Sequence, residues 1–177
     1  MSLRDKIKHS HDRAENHRFV KHLFGGNILP ELYCDYLYNQ TDIYHALEFE
    51  ANKRGLFQGL DGIERHSKIL QDFKEIYDVK FNIKIYPSVF EYCKYVSAIS
   101  SEQLISHVYV RHMGDMFGGA MLKKVVPGNG TMYDFENKNI LIQELRSKLK
   151  DDMAEEANKV FEFAIKLYEE LSNEHNI

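Results

Sequence analysis

Apolar residues recur along most of the chain at intervals of three and four positions, the spacing of a buried face on an α-helix. Proline- and glycine-containing stretches separate these segments, and residues 79–83 form an irregular or extended connector. We therefore expect an all-α bundle of roughly eight helices, forming a single domain over residues 1–177. The predicted helices cover residues 3–15, 17–24, 30–53, 63–77, 87–99, 101 to about 125, 139–150 and 152–171.

The helix predicted to begin at Ser101 contains three glycines, at Gly114, Gly118 and Gly119. Each glycine inside a helix costs about 0.5–1 kcal/mol relative to alanine. Three of them favour a close approach of the backbone to a flat or bulky group, or a kink. Asp115 lies among them, where it can bind water or backbone next to that surface. A turn at Gly118 and Gly119 between two shorter helices is the local alternative.

Two other uses of these glycines are excluded by their neighbours. A phosphate-binding loop needs lysine and then serine or threonine directly after its last glycine, whereas Ala120 and Met121 follow here. A membrane dimer motif needs a long apolar run, which Arg111 and Lys123 interrupt.

The composition adds few constraints. Hydrophobic residues make up 44% of the chain and charged residues 28%, as in ordinary globular proteins, and the net charge of -4 gives no reason to expect a nucleic-acid partner. Cys34 and Cys93 are far apart and suit buried thiols in a reducing compartment. Neither a signal peptide nor a membrane span is predicted, so we expect a soluble, cytoplasmic protein.

The first predicted helix carries a second signal. Arg4, Lys8, His11 and Glu15 share one broad face at 100° per residue. A carboxylate four residues after a histidine can fix its tautomer and raise its basicity as a metal ligand. The arrangement would place cations near the anionic edge of a large planar ligand whose metal sits on His11.

Spacing alone leaves the metal-binding histidine open, because the chain has nine histidines. His45 with Glu48, or His107 with Asp115, could equally indicate a non-haem iron site. A di-iron carboxylate oxidase is disfavoured, because it needs Glu-x-x-His pairs on two helices and the sequence offers none.

Two motifs together resemble the haem oxygenase family. Residues 11–16, His-Asp-Arg-Ala-Glu-Asn, are similar to the proximal-helix motif, a histidine followed by two variable residues and Ala-Glu-Asn. Residues 107–124 are similar to the distal-helix signature in order and spacing, and this motif is highly specific. The similarity runs in the right order along nearly the whole chain, with weaker matches at residues 43–50, 70–72, 145–147 and 161–171.

The resemblance implies an axial role for His11, as the proximal ligand to the iron of haem b, with Glu15 as its hydrogen-bond partner. Haem would lie between the first helix and a kinked distal helix. Gly114, Gly118 and Gly119 would let that distal helix lie against the porphyrin and bend over it.

The resemblance also implies roles for five further residues. Asp115 would anchor the water network that supplies protons to bound oxygen. Arg4, Lys8, Tyr109 and Arg146 would hold the haem propionates by charge-assisted hydrogen bonds.

The implied activity is cleavage of haem at a meso carbon, expected to be the alpha carbon, to biliverdin, carbon monoxide and ferrous iron. It would use O2 and electrons from an external donor such as a ferredoxin or a flavin reductase. The implied use is bilin pigment synthesis, with a downstream bilin reductase as a candidate partner. A haem carrier or sensor without turnover, and haem cleavage for iron acquisition, remain the alternatives.

Three positions depart from the family pattern. Tyrosine is usual at His112, serine at Phe117, and a propionate-binding lysine at Ile142. Phe117 bears on the tightness of the pocket and on access to it. Ile142 weakens the propionate clamp and bears on regiochemistry, since the seating of haem decides which meso carbon is cut.

Overall fold

A computed structural model describes residues 2–177, and over this range the fold is all-helical, as predicted. No strand occurs in this range, and none of its helices is both long and apolar enough to cross a membrane. Two short 3-10 turns, Thr131–Tyr133 and Asp151–Met153, accompany eight α-helices. The helices are α1 (Leu3–Glu15), α2 (Arg18–Phe24), α3 (Pro30–Lys53), α4 (His66–Ile76), α5 (Pro87–Ala98), α6 (Ser101–Leu122), α7 (Lys138–Ser147) and α8 (Ala154–His175).

Two long helices, α3 and α8, organise the packing. α3 contacts α4, α5, α6 and α8, while α8 also contacts α1, α2, α5 and α6. Fifteen of the 24 residues of α3 are buried, so this helix is covered on most sides. As a consequence, the two helices that carry the sequence motifs, α1 and α6, share α8 as a common support.

The glycine-bearing helix α6 is one continuous helix from Ser101 to Leu122. The alternative of a turn at Gly118 and Gly119 is therefore wrong. The helix is capped by Ser100, whose hydroxyl accepts a hydrogen bond from the backbone N–H of Gln103, while the Gln103 side chain bonds back to Ser100.

Helix α4 begins at His66, three residues later than the predicted start at residue 63. The cap comes from α3, because the Glu48 carboxylate accepts the backbone N–H groups of Arg65 at 2.5 Å and His66 at 3.0 Å. A capping residue that lies 17 positions away leaves no local signal in the sequence.

The C-terminal helices also differ from their predicted bounds. α7 ends at Ser147 rather than 150, and α8 extends to His175 rather than 171. Contacts with distant elements hold the last turn of α8: His175 Nε2 lies 3.0 Å from Asp35 Oδ2 on α3, and Glu174 forms an ion pair with Lys84.

Candidate active site

Helix α1 presents His11 at the edge of its buried face. Leu3, Ile7 and Ala14 recur at helical spacing, are buried, and fix this face of α1 on α8. The His11 side chain remains 54% exposed, and its ring packs edge-on against Phe161 of α8, with the ring centroids 5.8 Å apart.

Two carboxylates flank one nitrogen of His11. Nδ1 lies 3.5 Å from Asp12 Oδ1 and 3.8 Å from Oε2 of Glu15, the predicted partner of His11. These separations are longer than a strong hydrogen bond. Because both carboxylates approach Nδ1, Nε2 on the other edge of the ring is the nitrogen available to a ligand.

One face of α6 is open, and we call Gly114, Phe117, Gly118 and Met121 the open face. A Cβ added at Gly114 would meet nothing within 4 Å, and one added at Gly118 would have only Phe24 Cζ nearby, at 3.8 Å. Phe117 and Met121 are 57% and 64% exposed. The open face therefore combines bare backbone with apolar side chains.

Gly119 serves a different neighbour. It is buried, and a Cβ added there would lie 2.7 Å from Cδ1 and 2.9 Å from Cβ of Tyr133. The third glycine thus makes room for the Tyr133 ring behind the helix, whereas Gly114 and Gly118 leave the front of the helix bare.

Asp115 follows the first of these glycines and points towards α3. The Tyr44 hydroxyl donates a short hydrogen bond to Asp115 Oδ2. Burial raises the pKa of Asp115, while the Tyr44 hydrogen bond and the charges of His112 and Arg111 lower it. Burial is the larger effect, and the resulting pKa is about 6. The raised pKa makes the protonated form of this carboxyl easier to reach than it is for an exposed aspartate.

A second chain of hydrogen bonds links α6 to α5 and α8. Arg111 Nε donates to the Tyr92 hydroxyl at 2.9 Å, and that hydroxyl lies 3.0 Å from His107 Nδ1. His107 Nε2 lies 3.0 Å from Glu156 Oε1. All four side chains are buried. Their hydrogen bonds fix Arg111 at a position from which its charge acts on Asp115.

The alternative histidine–carboxylate pairs have other partners. His107 bonds to Tyr92 and Glu156 rather than to Asp115. The Glu48 carboxylate is occupied by His112 and two backbone N–H groups, while the His45 ring lies 4.7 Å from that of His66. The geometry does not assemble either non-haem iron site.

Positive charges on two helices influence Tyr109 on α6. Burial raises the pKa of Tyr109, and the charges of Arg146 on α7 and Arg4 on α1 oppose the rise. The charges of Arg4 and Arg146, two of the residues expected at the propionates, therefore both act on Tyr109, a third. The fourth, Lys8, forms an ion pair with Asp12 at 2.5 Å.

A family model described as "Heme oxygenase" matches residues 1–170. The chain belongs to the haem oxygenase family. The family predicted from the two helical motifs is thereby confirmed.

Relatives in this family align along nearly the whole chain. Heme oxygenase 2 of Mus musculus is 31% identical over an alignment of 201 positions. The alignment covers 96% of this chain and 64% of the mouse protein. The chain thus spans less than two thirds of that relative's length. The heme oxygenase of Rhodella violacea is 27% identical, with 98% of this chain and 86% of the relative covered.

Solved haem oxygenase structures share the fold. Heme oxygenase-1 from the cyanobacterium Synechocystis, determined in complex with heme, superposes with a TM-score of 0.82 at 26% identity, covering 97% of this chain and 91% of that one. The Leptospira interrogans heme oxygenase gives a TM-score of 0.81 at 23% identity and covers 96% and 100%.

Proposed function

We propose that this chain binds haem and cleaves it at a meso carbon, expected to be the alpha carbon, to biliverdin, carbon monoxide and ferrous iron. The reaction would consume O2 and electrons. The observation that carries the proposal is the bare backbone of Gly114 and Gly118 next to Asp115, whose carboxylate accepts a hydrogen bond from the Tyr44 hydroxyl. Family membership supports the same activity.

The residues present fit a haem. Gly114 and Gly118 leave a flat stretch of α6 that a planar macrocycle can approach, and apolar side chains flank it. His11 would hold the haem iron through Nε2, while Glu15 and Asp12 on the Nδ1 side would strengthen its donor character. Haem b, when bound, supplies the iron that binds O2 and the porphyrin that is cleaved.

The cationic group around Tyr109 suits the propionates. The charges of Arg4 and Arg146 act on the same phenol from different helices, so two guanidinium groups and a hydroxyl would bind carboxylates there. Lys8 would contribute by turning from its exposed pair with Asp12, which holds it only weakly. These contacts would fix the rotation of the macrocycle and therefore the carbon that is cut.

Asp115 and Tyr44 would manage protons. At neutral pH most Asp115 carboxyls are ionised and accept the Tyr44 hydroxyl hydrogen bond, yet a pKa of about 6 keeps the protonated form accessible. The carboxyl can therefore take a proton from solvent and pass it on beside the open face. Because Gly114 and Gly118 place no side chain there, small molecules on that face would contact bare backbone between Phe117 and Met121.

We propose that electrons come from an external donor, a ferredoxin or a flavin reductase. The product would feed bilin pigment synthesis through a downstream bilin reductase. The protein would work in the cytoplasm as a single domain.

The test is to mix the protein with one equivalent of hemin and add ascorbate or reduced ferredoxin in air. The Soret band should decay while a bilin band grows, and chromatography against bilin isomer standards should identify the alpha isomer. A stable haem complex that yields no bilin with either donor would refute turnover and indicate a carrier.

A further inference from the structure

His112 lies between α6 and α3, and both of its ring nitrogens face hydrogen-bond acceptors. The ring is completely buried. Nδ1 lies 3.0 Å from the carbonyl oxygen of Val108, and Nε2 lies 3.1 Å from Oε1 of Glu48. This arrangement fixes the number of protons that the ring carries.

A carbonyl oxygen can only accept, so Nδ1 of His112 must carry a hydrogen. Glu48 already accepts the backbone N–H groups of Arg65 and His66. A carboxyl group that receives several N–H donors is stabilised in its ionised form. Ionised Glu48 can only accept from Nε2, which must therefore carry a hydrogen as well.

His107, one turn earlier on α6, provides the contrast. Its Nε2 also faces a buried carboxylate, Glu156, but its Nδ1 faces the hydroxyl of Tyr92. That hydroxyl accepts from Arg111 and is free to donate to His107, so this ring needs only one hydrogen. Burial lowers the pKa of His107, in line with a neutral ring.

The His112 ring lies next to Tyr44, the residue that donates a hydrogen bond to Asp115. It packs on Tyr44 with ring centroids 5.3 Å apart and planes at 70°, and Tyr44 donates to Asp115. We propose that His112 is an imidazolium paired with Glu48 in the protein interior, and that it is a positioning residue which holds Tyr44 on Asp115 and favours the ionised carboxylate.

The other groups around Asp115 leave His112 a distinct role. Burial raises the pKa of four nearby tyrosines, so they are neutral at pH 7, and the remaining cations are guanidinium groups. Among the cations around Asp115, His112 is therefore the one whose charge can be removed by a neutral side chain of similar size. The surrounding groups are Tyr33, Tyr36, Tyr133, Tyr168, Arg65 and Arg111.

Nuclear magnetic resonance on the protein without added haem tests the charge directly. The ¹⁵N shifts of the His112 ring at pH 7 should show two protonated nitrogens, whereas the His107 ring should show one protonated and one bare nitrogen. A bare nitrogen on His112 at pH 7 would overturn the proposal, and this measurement needs no variant.

The positioning role is tested by titrating the Asp115 side-chain carboxyl with ¹³C detection in wild type, His112→Gln and His112→Tyr. Loss of one nearby positive charge should raise its midpoint by about 1 pH unit. His175→Gln, which removes a histidine paired with Asp35 outside this contact, should leave the midpoint in place. An unmoved midpoint in the folded His112 variants would refute the role.

This inference rests on the proposed function for its catalytic consequence, an equal upward shift of the acid limb of bilin formation. The resonance measurements do not depend on turnover. A protein that makes no bilin but shows the charged ring and the shifted Asp115 midpoint would refute the proposed function alone.

Discussion

A methyl group added to Gly119 would lie 2.7 Å from Cδ1 of Tyr133, whereas one added to Gly114 would meet nothing within 4 Å. Gly119→Ala should therefore lower the free energy of unfolding by about 1–3 kcal/mol, because the ring must move. Gly114→Ala should raise it by about 0.5–1 kcal/mol, because alanine favours the helix. Urea unfolding of the two variants checks both signs.

The Gly114→Ala variant also distinguishes an effect on stability from an effect on haem binding. The methyl group of Gly114→Ala projects from the open face, so hemin affinity should fall at least tenfold although the protein is more stable. If Gly114→Ala bound hemin as tightly as wild type, the open face would not be the haem surface. Hemin titration followed by absorbance gives the comparison.

Ionised Asp115 is expected to lower the free energy of unfolding at neutral pH, where the proposed reaction would run. Its pKa in the folded protein, about 6, lies above the value of 3.8 for an unburied aspartate. Such a group contributes stability that is complete below the unfolded pKa and is lost as the pH rises through the folded pKa. Asp115→Asn should thus raise the free energy of unfolding at pH 7 by about 1–3 kcal/mol.

The pH dependence identifies the cause. The difference in free energy of unfolding between Asp115→Asn and wild type should become smaller as the pH falls from 7 to 4. The variant should also bind hemin without forming bilin. Chemical denaturation at several pH values measures the first effect, and the hemin and ascorbate assay measures the second. A variant less stable than wild type at pH 7 would contradict the cost assigned to this carboxyl.

Between elements, the contact of α6 with α8 depends on Glu156. Burial alone would raise the pKa of this carboxyl, but hydrogen bonds from His107 and Tyr95 outweigh it and bring the pKa to about 2. A depressed pKa gives stability that is present above the unfolded value of about 4.5 and is lost as the pH falls towards 2.

Glu156→Gln should therefore lower the free energy of unfolding at pH 7 by about 2–4 kcal/mol and flatten its decline between pH 4.5 and 2. Thermal or urea unfolding across that range provides the measurement. Glu155→Gln, at an exposed neighbouring position on α8, is the matched control and should change little. Equal effects of the two substitutions would remove Glu156 from the link.

The helices were predictable because their buried faces repeat at helical spacing, and α6 was placed despite its glycines because the apolar pattern continues through them. Boundaries were less predictable. The start of α4 depends on Glu48, which lies on another helix, and the end of α8 depends on Asp35 and Lys84. Such contacts leave no local pattern in the sequence.

The site divides in the same way. His11 with Glu15, and the glycines with Asp115, lie within single helices and follow from local motifs. Tyr44 is 71 positions from Asp115, and Glu48 is 64 positions from His112, so only the packing of α3 on α6 reveals these pairs. Gly119 was grouped with the other glycines because spacing cannot indicate which side of a helix is crowded.

At the scale of the whole molecule, α8 supports both surfaces proposed to hold haem. α1 and α6 pack on it separately, and Arg4 and Arg146 bring positive charge to Tyr109 although the chain carries a net charge of -4. Haem bound to His11 and to the open face would join α1 to α6.

Absorbance titration with hemin of wild type, His11→Ala and His9→Ala tests this arrangement most directly. His9 is an exposed histidine on the same helix, so its loss controls for nonspecific binding by surface imidazoles. Wild type and His9→Ala should form one-to-one complexes with the same histidine-ligated Soret band, and His11→Ala should lose that band. A histidine-ligated complex that survives in His11→Ala, or no complex in wild type, would contradict the site described here.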